Sequence, residues 1–181
     1  MSARETPRLL TVEEYERIPD PPGGHYELHH GELVAVTYPL RSHRDIQRRL
    51  RKMLEPMLEP WGFVVDTEYP YRPLPETEVW GADVACVLSR RHESEEKWLN
   101  GSPELVIEVK SPSNTRQEML DKAMTTLAGD GAVEFWVVDP EKRAISVYRK
   151  TQASWVYGPD ERVPVLEAGS VNVSDVLRLE R

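Results

Sequence analysis

The alternation of apolar and polar residues predicts a succession of helices and strands along the chain. Residues 11–18, opened by a Thr-x-x-Glu capping box, are expected to form a short helix. Residues 26–36 alternate on both sides of a His-Gly turn, which predicts a β-hairpin. Apolar residues then recur at a helical period over residues 42–58, which indicates a long amphipathic helix.

A mixed β-sheet is predicted from the segments that follow this helix. Its strands are expected at residues 63–71, 79–88, 104–110, 133–138 and 144–149. Residues 115–129 have a second capping box and one apolar face, and predict a helix. The charged residues 90–100 are expected to form an exposed loop or helical turn, and residues 151–181 a last strand and a short C-terminal element. This order of elements predicts an α/β or α+β fold, a mixed sheet flanked by helices.

The length of 181 residues favours a single domain, with its core at about residues 11–150. Cys86 is the only cysteine, so the sequence predicts neither an internal disulfide nor a cysteine cluster for zinc. No segment has the length and apolar character of a signal peptide or a membrane span. We therefore expect a cytoplasmic protein.

The net charge of −8 disfavours avid binding to nucleic acid, because an acidic protein repels phosphates at long range. A local exception lies on the first long helix, where Arg44, Arg48, Arg51 and Lys52 form a basic stripe opposite the apolar face. Such a stripe is consistent with a solvated helix surface or with contacts to DNA phosphates. The charge pattern leaves both interpretations open.

Glu108 and Lys110 are the most informative charged residues. Side chains alternate in a strand, so both are expected side by side on one face, at the end of an apolar segment. Burying either charge alone is costly, so each requires compensation. The pair is consistent with a strand end that touches solvent, because Glu-x-Lys is a common pattern, or with a functional site.

Asp83 is a second anomaly, because it lies inside an otherwise apolar strand. Strict alternation places Ala82 and Val84 together on one face of that strand. Aspartate is a poor strand former and is seldom buried without a partner. One explanation is structural, in a bulge or a hydrogen bond to neighbouring backbone. The other is metal binding, because two carboxylates on neighbouring strands suit a hard cation such as Mg²⁺.

These residues resemble those of a known nuclease group. An acidic residue on one strand, followed by Glu-x-Lys on the next, is similar to the PD-(D/E)XK nuclease signature. More closely, the chain resembles the Uma-type restriction-endonuclease-like family, a widespread bacterial group long described as a domain of unknown function. The resemblance covers about residues 11–149. It rests on the order of the segments TVEEYERIPD, YELHHGELV, GAD, ELVIEVKSPSNT and GAVEFWVVDP, with Ser42-His43 and Lys122 between them.

The resemblance implies a role for the residues at the centre of this pattern. Asp83 and Glu108 would bind a divalent cation, with the backbone carbonyl of Val109 as a further ligand. Lys110 would orient or activate the attacking water and neutralise charge on the phosphate.

Other matching positions are implied to surround the same site. Glu27 matches an acid that completes the site from the first hairpin, and His43 and Lys122 match positions that border the cleft. There are two departures from the family pattern. Ala82 replaces the proline of the signature, and Thr126 replaces a tyrosine on the second long helix. Neither change removes an implied metal ligand.

The sequence therefore predicts a Mg²⁺- or Mn²⁺-dependent endonuclease that hydrolyses DNA. We expect a homodimer, because a symmetric pair supplies two active sites for the two strands of a duplex. One alternative is a nuclease-like fold with a vestigial site that serves as a binding or regulatory module, as the acidic net charge favours. Another is a metal-dependent hydrolase of a small phosphoester.

Overall fold

The computed structural model describes residues 8–94 and 97–178, and it confirms the predicted mixed sheet flanked by helices. Its helices are α1 (Val12–Tyr15), α2 (Arg41–Leu58), α3 (Ser89–His92), α4 (Arg116–Ala128) and α5 (Val173–Val176), and a 3₁₀ turn at Glu59–Trp61 follows α2. Its strands are β1 (Gly24–His29), β2 (Glu32–Thr37), β3 (Phe63–Arg72), β4 (Trp80–Leu88), β5 (Leu99–Asn100), β6 (Leu105–Val109), β7 (Glu134–Asp139), β8 (Ala144–Arg149), β9 (Trp155–Tyr157), β10 (Arg162–Val165) and β11 (Gly169–Asn172).

Seven strands form the central sheet in the order β5-β3-β4-β6-β7-β8-β9. β4 runs antiparallel to both of its neighbours, whereas β6 and β7 are parallel and are connected through α4. β8 and β9 continue the sheet in antiparallel pairing, and β5 pairs in parallel with the end of β3. The β1–β2 and β10–β11 hairpins form separate two-stranded sheets. A β6–α4–β7 connection of this kind brings α4 onto one face of the sheet.

The sheet is buried on both faces, and a different helix covers each face. On one face α2 contributes Ile46, Leu50 and Leu54, joined by apolar residues of β10, β11 and α5. On the opposite face α4 contributes Met119 and Ala123. Burial of this apolar surface is the main source of stability. A charged side chain between the sheet and either helix consequently requires a partner.

In the neighbouring strands β3 and β4, the side chains switch from one face of the sheet to the other at one point. In β4, Ala82 packs on the α4 side and Val84 on the α2 side, so the face assignment made from strict alternation was wrong here. In β3 the same change occurs between Val65 and Tyr69, and Glu68 between them has a φ of 51°. A residue in the left-handed region reverses the direction of the following side chains, which explains the change in β3.

The β1–β2 hairpin is attached to the beginning of β4. Leu28 and Val79 exchange two backbone hydrogen bonds, of 2.9 and 3.0 Å. At the tip of the hairpin His30 has a φ of 51° and Gly31 a φ of 80°. A two-residue turn of type I′ requires a positive φ at both of these positions. This attachment carries Glu27, the neighbour of Leu28, onto the central sheet.

Most predicted elements are confirmed within a few residues of their expected ends. The segment 90–100 contains the end of the helical turn α3 and adds the short edge strand β5. The C-terminal prediction was incomplete, because β9, the β10–β11 hairpin and α5 occur where one strand and a short element were expected. Short apolar stretches do not distinguish strand from helix until their contacts are known. The end of that predicted element, from residue 179, lies outside the described residues.

Within the two described ranges, no helix combines the length and the apolar character needed to cross a membrane.

Candidate active site

Three acidic residues stand in line across three neighbouring strands. The pairing of β3 with β4 places Glu68 opposite Asp83. The pairing of β4 with β6, continued by one residue, places Asp83 opposite Glu108. The regular backbone pairing of these strands omits both positions. The sheet is therefore interrupted where the acids lie, at the point where the central strands change faces.

Asp83 is held by hydrogen bonds from two elements. Its Oδ2 accepts from the backbone N–H of Val109 at 2.6 Å, and its Oδ1 accepts from Gln47 Nε2 at 2.8 Å. Gln47 also donates to Glu68 Oε1 at 2.5 Å, and His43 Nε2 lies 2.9 Å from Asp83 Oδ1. The bond to neighbouring backbone that the sequence left open is thus present. It orients the Asp83 carboxylate toward the end of β6.

Glu108 is buried at the end of β6 and pairs with a lysine of α4. Its Oε1 lies 3.0 Å from Lys122 Nζ, but this oxygen has no hydrogen bond of acceptable geometry. Lys122 also donates to the Gly81 carbonyl at 3.3 Å, and its Nζ lies 5.7 Å from the centre of the Trp80 ring. The Lys122 ammonium is therefore held between β4 and β6.

Glu27 reaches the same region from the β1–β2 hairpin. Its Oε1 accepts from the Gly81 N–H at 2.7 Å, and its Oε2 lies 2.7 Å from His29 Nε2. Burial alone would raise the pKa of Glu27, but the charge of Lys122 and hydrogen bonds from His25 and His29 hold it well below its usual range. Glu27 therefore remains ionised.

The ammonium of Lys122 lies among three carboxylates of the site, those of Asp83, Glu108 and Glu27. Burial raises the pKa of Glu108 to about 8, and the charges of Asp83 and Glu27 add to this effect while Lys122 opposes it. Burial would lower the pKa of Lys122, yet Glu108 and Glu27 raise it above its usual range. Three negative charges and one positive charge leave a formal charge of −2 when all four groups are ionised.

This arrangement fits a divalent cation. Its charge would balance the site, and Glu108 Oε1 is a buried acceptor without a hydrogen bond. In the described part of the chain, no three Asp, Glu, His or Cys side chains gather closely enough to enclose a metal by themselves. Mg²⁺ commonly takes only one or two carboxylates and completes its coordination with water and substrate phosphate. Asp83 and Glu108 correspond to such an open site.

Lys110 lies at the same end of β6 but has a different partner from the one expected. Its Nζ lies 3.6 Å from Asp139 Oδ2, and its backbone N–H donates to the Val138 carbonyl at 2.8 Å. The lysine that pairs with Glu108 is Lys122. The difference arises because β6 ends at Val109, so strand alternation no longer fixes the direction of Lys110.

An open cleft of about 1360 Å³ connects these residues. Its walls include Asp83, Glu108, Lys110 and Lys122, together with exposed residues of β2. Pockets for small ligands typically measure about 300–1000 Å³. The cleft is therefore large enough to admit a polymeric substrate.

The basic stripe of α2 is partly neutralised by acidic neighbours. Arg48 forms an ion pair with Asp45, and Arg51 Nη1 lies 3.1 Å from Asp66 Oδ1. Within the described ranges Arg44 forms no ion pair. Arg44 and Arg48 line a second groove that shares part of its wall with the cleft. The stripe thus borders the site. Two of its three arginines form ion pairs, and the third, Arg44, has none among the described residues.

Three residues of the site were not predicted from the sequence. Gln47 is buried on the apolar face of α2, four residues after His43. This spacing places both side chains on one face of the helix, and it is the signal in the sequence from which Gln47 could have been found. Glu68 carried no signal, because a glutamate in an alternating strand is ordinary. Trp80 is buried, as tryptophans in apolar strands commonly are, and its ring stacks on His29 with 5.1 Å between ring centres.

The fold and the site together define a restriction-endonuclease-like protein, with an acid on one central strand and Glu-x-Lys at the end of the next. The family model Uma2, described as "Putative restriction endonuclease", matches residues 12–177. The chain belongs to this family, as its sequence predicted.

A solved structure supports the same architecture. The chain is similar to a crystal structure described as "a putative nuclease belonging to DUF820" from Anabaena variabilis. The TM-score is 0.81 and the sequence identity 20%, over 93% of this chain and 97% of that chain. At this identity the likeness establishes the fold. No curated protein shows a significant match to the sequence.

We predict that Glu108→Gln stabilises the metal-free protein at alkaline pH. The pKa of Glu108 is raised in the folded state, so its stabilising contribution is present below its unfolded pKa and is lost as the pH rises through about 8. The glutamine variant does not suffer this loss. Its free energy of unfolding should exceed that of the wild type by several kcal/mol at about pH 8.5, and should approach it near pH 5.

Urea denaturation in the presence of EDTA at both pH values measures this difference. Glu27→Gln is the matched control, because it removes a buried carboxylate whose pKa is lowered instead of raised. The Glu27 variant should lose stability at neutral pH, where the ionised carboxylate is favourable. Equal losses in the two variants would contradict the charge imbalance at Glu108.

Proposed function

We propose that the protein is a Mg²⁺- or Mn²⁺-dependent endonuclease that hydrolyses phosphodiester bonds of DNA. The observation that carries the proposal is the cluster of Asp83, Glu108 and Glu27 around one lysine, at an interruption of the sheet that opens into a large cleft. Membership of a restriction endonuclease family supports nuclease chemistry.

In this proposal Asp83 and Glu108 hold the cation, with the Val109 carbonyl as a further ligand. A bound divalent cation polarises the scissile phosphate and lowers the pKa of a water molecule. The protein's own contribution is to fix both carboxylates in advance. Gln47 and the Val109 N–H orient Asp83, and Lys122 orients Glu108. Ligands that are already oriented require less reorganisation when substrate binds.

The two lysines have different roles in this proposal. Lys122 is a positioning residue, because its ammonium is held by Glu108 and the Gly81 carbonyl. Among the residues that the structure describes, the charged partner of Lys110 is Asp139 at 3.6 Å, and Lys110 lines the cleft. Its ammonium is therefore the one available to hold the attacking water and to stabilise charge on the phosphate.

A nucleic acid is proposed as the polymer because positive charge and free N–H groups border the cleft, and DNA is proposed because the chain belongs to a restriction endonuclease family. α2 begins at Arg41 without a side-chain cap and without an acidic residue in its first turn. The unpaired backbone N–H groups of a helix N-terminus suit phosphate oxygens. Ser42 and His43 of this first turn line the cleft, and Arg44 follows them.

We also propose that the protein acts as a two-fold dimer, which would present one site to each strand of a duplex. Light scattering at micromolar concentration should give twice the monomer mass. A monomeric mass that persists when DNA is added would contradict this arrangement.

We predict that Asp83→Asn and Glu108→Gln each abolish binding of Mg²⁺ and Mn²⁺, because each removes one ligand charge from the pair. Isothermal titration calorimetry of the purified protein measures the binding. Glu141→Gln is the matched control, since it makes the same change of charge at an exposed position of the same cleft. A wild type that binds neither ion would favour the alternative of a binding or regulatory module with a vestigial site.

We predict that Lys110→Met keeps metal binding and substrate affinity but lowers kcat by about a hundredfold or more, because its contact forms in the transition state. Lys122→Met should instead weaken metal binding, because Glu108 loses the ammonium that orients it. Calorimetry and steady-state cleavage assays separate the two effects. Loss of turnover only in the Lys122 variant would reverse the assignment.

We predict that Arg44→Gln weakens DNA binding more than Arg51→Gln does. The charge of Arg51 is shared with Asp66 and Glu55, whereas Arg44 forms no ion pair in the described ranges. The Arg44 variant should lower the slope of log affinity against log salt by about one unit, and equally for all sequences. Fluorescence anisotropy at several salt concentrations measures the slope. An unchanged slope would show that the stripe is merely solvated.

A further inference from the structure

A second groove, which we call the aromatic groove, lies beside the catalytic cleft and has a volume of about 800 Å³. Rings and guanidinium groups dominate one part of its wall. They belong to Tyr15, Tyr26, Tyr38, Trp98, Arg41 and Arg44. Aromatic faces next to positive charges are the combination that binds unpaired bases and their phosphates.

One ring of the aromatic groove is open to a flat ligand, and a second ring borders it. Tyr38 is 68% exposed, at the end of β2, and packs in no apolar cluster of the described residues. Trp98 lines the same groove but is only partly exposed, because it packs against the cluster of Val12, Leu28 and Val79. Lys97 Nζ lies 4.2 Å and Arg72 Cζ 5.7 Å from the centre of the Trp98 ring. These contacts fix the Trp98 ring, so Tyr38 is the ring that is open to a ligand.

The charged residues of the groove differ in whether they have partners within the protein. Arg41 and Arg44 form no ion pair with any residue in 8–94 or 97–178. The acids at the other end already have partners: Glu27 is bound by the Gly81 N–H and His29, and Glu68 by Gln47. These hydrogen bonds orient the two carboxylates but leave their charge, so the groove is negative at that end and positive at the arginine end, which is the end suited to phosphate.

The aromatic groove and the catalytic cleft share a wall. Glu27, Glu68, Trp80, Gly81 and Tyr38 line both. A strand that crosses the carboxylates can therefore continue directly into the groove. In a duplex the base faces are covered by stacking on their neighbours, so only unpaired nucleotides can use these rings.

We propose that the aromatic groove binds unpaired nucleotides next to the bond that is cut, with a base stacked on Tyr38 and phosphates at Arg41 and Arg44. The position relative to the cut rests on the proposed function. The substrate class then becomes DNA with a single-stranded segment, such as a loop, a flap or a frayed end. A volume of about 800 Å³ lies within the usual range for compact ligands, as one or two nucleotides require.

The test compares two single strands that differ only in their bases. Fluorescence anisotropy at low salt, in EDTA, measures binding of a labelled oligothymidylate and of an abasic strand of the same length. The wild type should bind the oligothymidylate about tenfold more tightly, because stacking is lost in the abasic strand. Tyr38→Ala should reduce this ratio severalfold. Trp155→Ala, which removes a ring that is 58% exposed outside the groove, should leave the ratio unchanged.

Equal affinity of the wild type for the two strands, or no measurable binding to either, would overturn the proposal. So would a ratio that the Tyr38 variant keeps, since that exposed residue can be replaced without disturbing the core. The assay contains no metal and no cleavage step. A vestigial catalytic site would therefore leave the predicted ratio intact. If the protein cleaves DNA without any preference for unpaired bases, the proposed function stands and only the proposal for the aromatic groove is contradicted.

Discussion

The ion pair between Lys122 and Glu108 is the interaction on which the arrangement of the site depends. The Lys122 ammonium lies between Glu108 and the Gly81 carbonyl, and its charge also acts on Glu27. Without it, two buried carboxylates would face each other with no counter-charge, at a cost of several kcal/mol. With it, the cluster is stable enough to fold and still carries excess negative charge. A protein that is fully neutralised internally would have no electrostatic reason to take up a cation.

The interruption of the sheet explains why the cluster forms at this place. In a regular ladder Asp83 would direct its carboxylate into one of the two apolar layers. Because the central strands change faces here, its carboxylate reaches the Val109 N–H at the edge between the layers. Residues of α2 and α4 then approach the same point from opposite sides, as Gln47 and Lys122 show. The strain of a left-handed Glu68 is consistent with a site that is specified for function as well as for stability.

The sequence predicted the parts of the site that violate local rules. Asp83 within an apolar strand and Glu108 at the end of another were detectable because buried charge is rare. The pairing of Glu108 with Lys122 instead of Lys110 was not detectable, because it depends on where β6 ends and on the position of α4 across the sheet. The same limit applies to the C-terminal hairpin β10–β11. Its short strands are defined by contacts with α2 and not by a pattern of their own.

The acidic net charge is consistent with such a site once the distribution of the charges is considered. Two of the three arginines of the α2 stripe share their charge with Asp45 and Asp66, so of these three only Arg44 has no ion pair among the described residues. Affinity that depended on the phosphate contacts of this stripe alone would then be weak at physiological salt. Contacts with exposed rings lose little strength in salt, because stacking is not a long-range electrostatic interaction. A nuclease whose basic helix stripe is partly neutralised therefore gains more affinity from base stacking than a more basic nuclease does. Tyr38 lies at the boundary between the two grooves, where such a contact would act on the strand being cut.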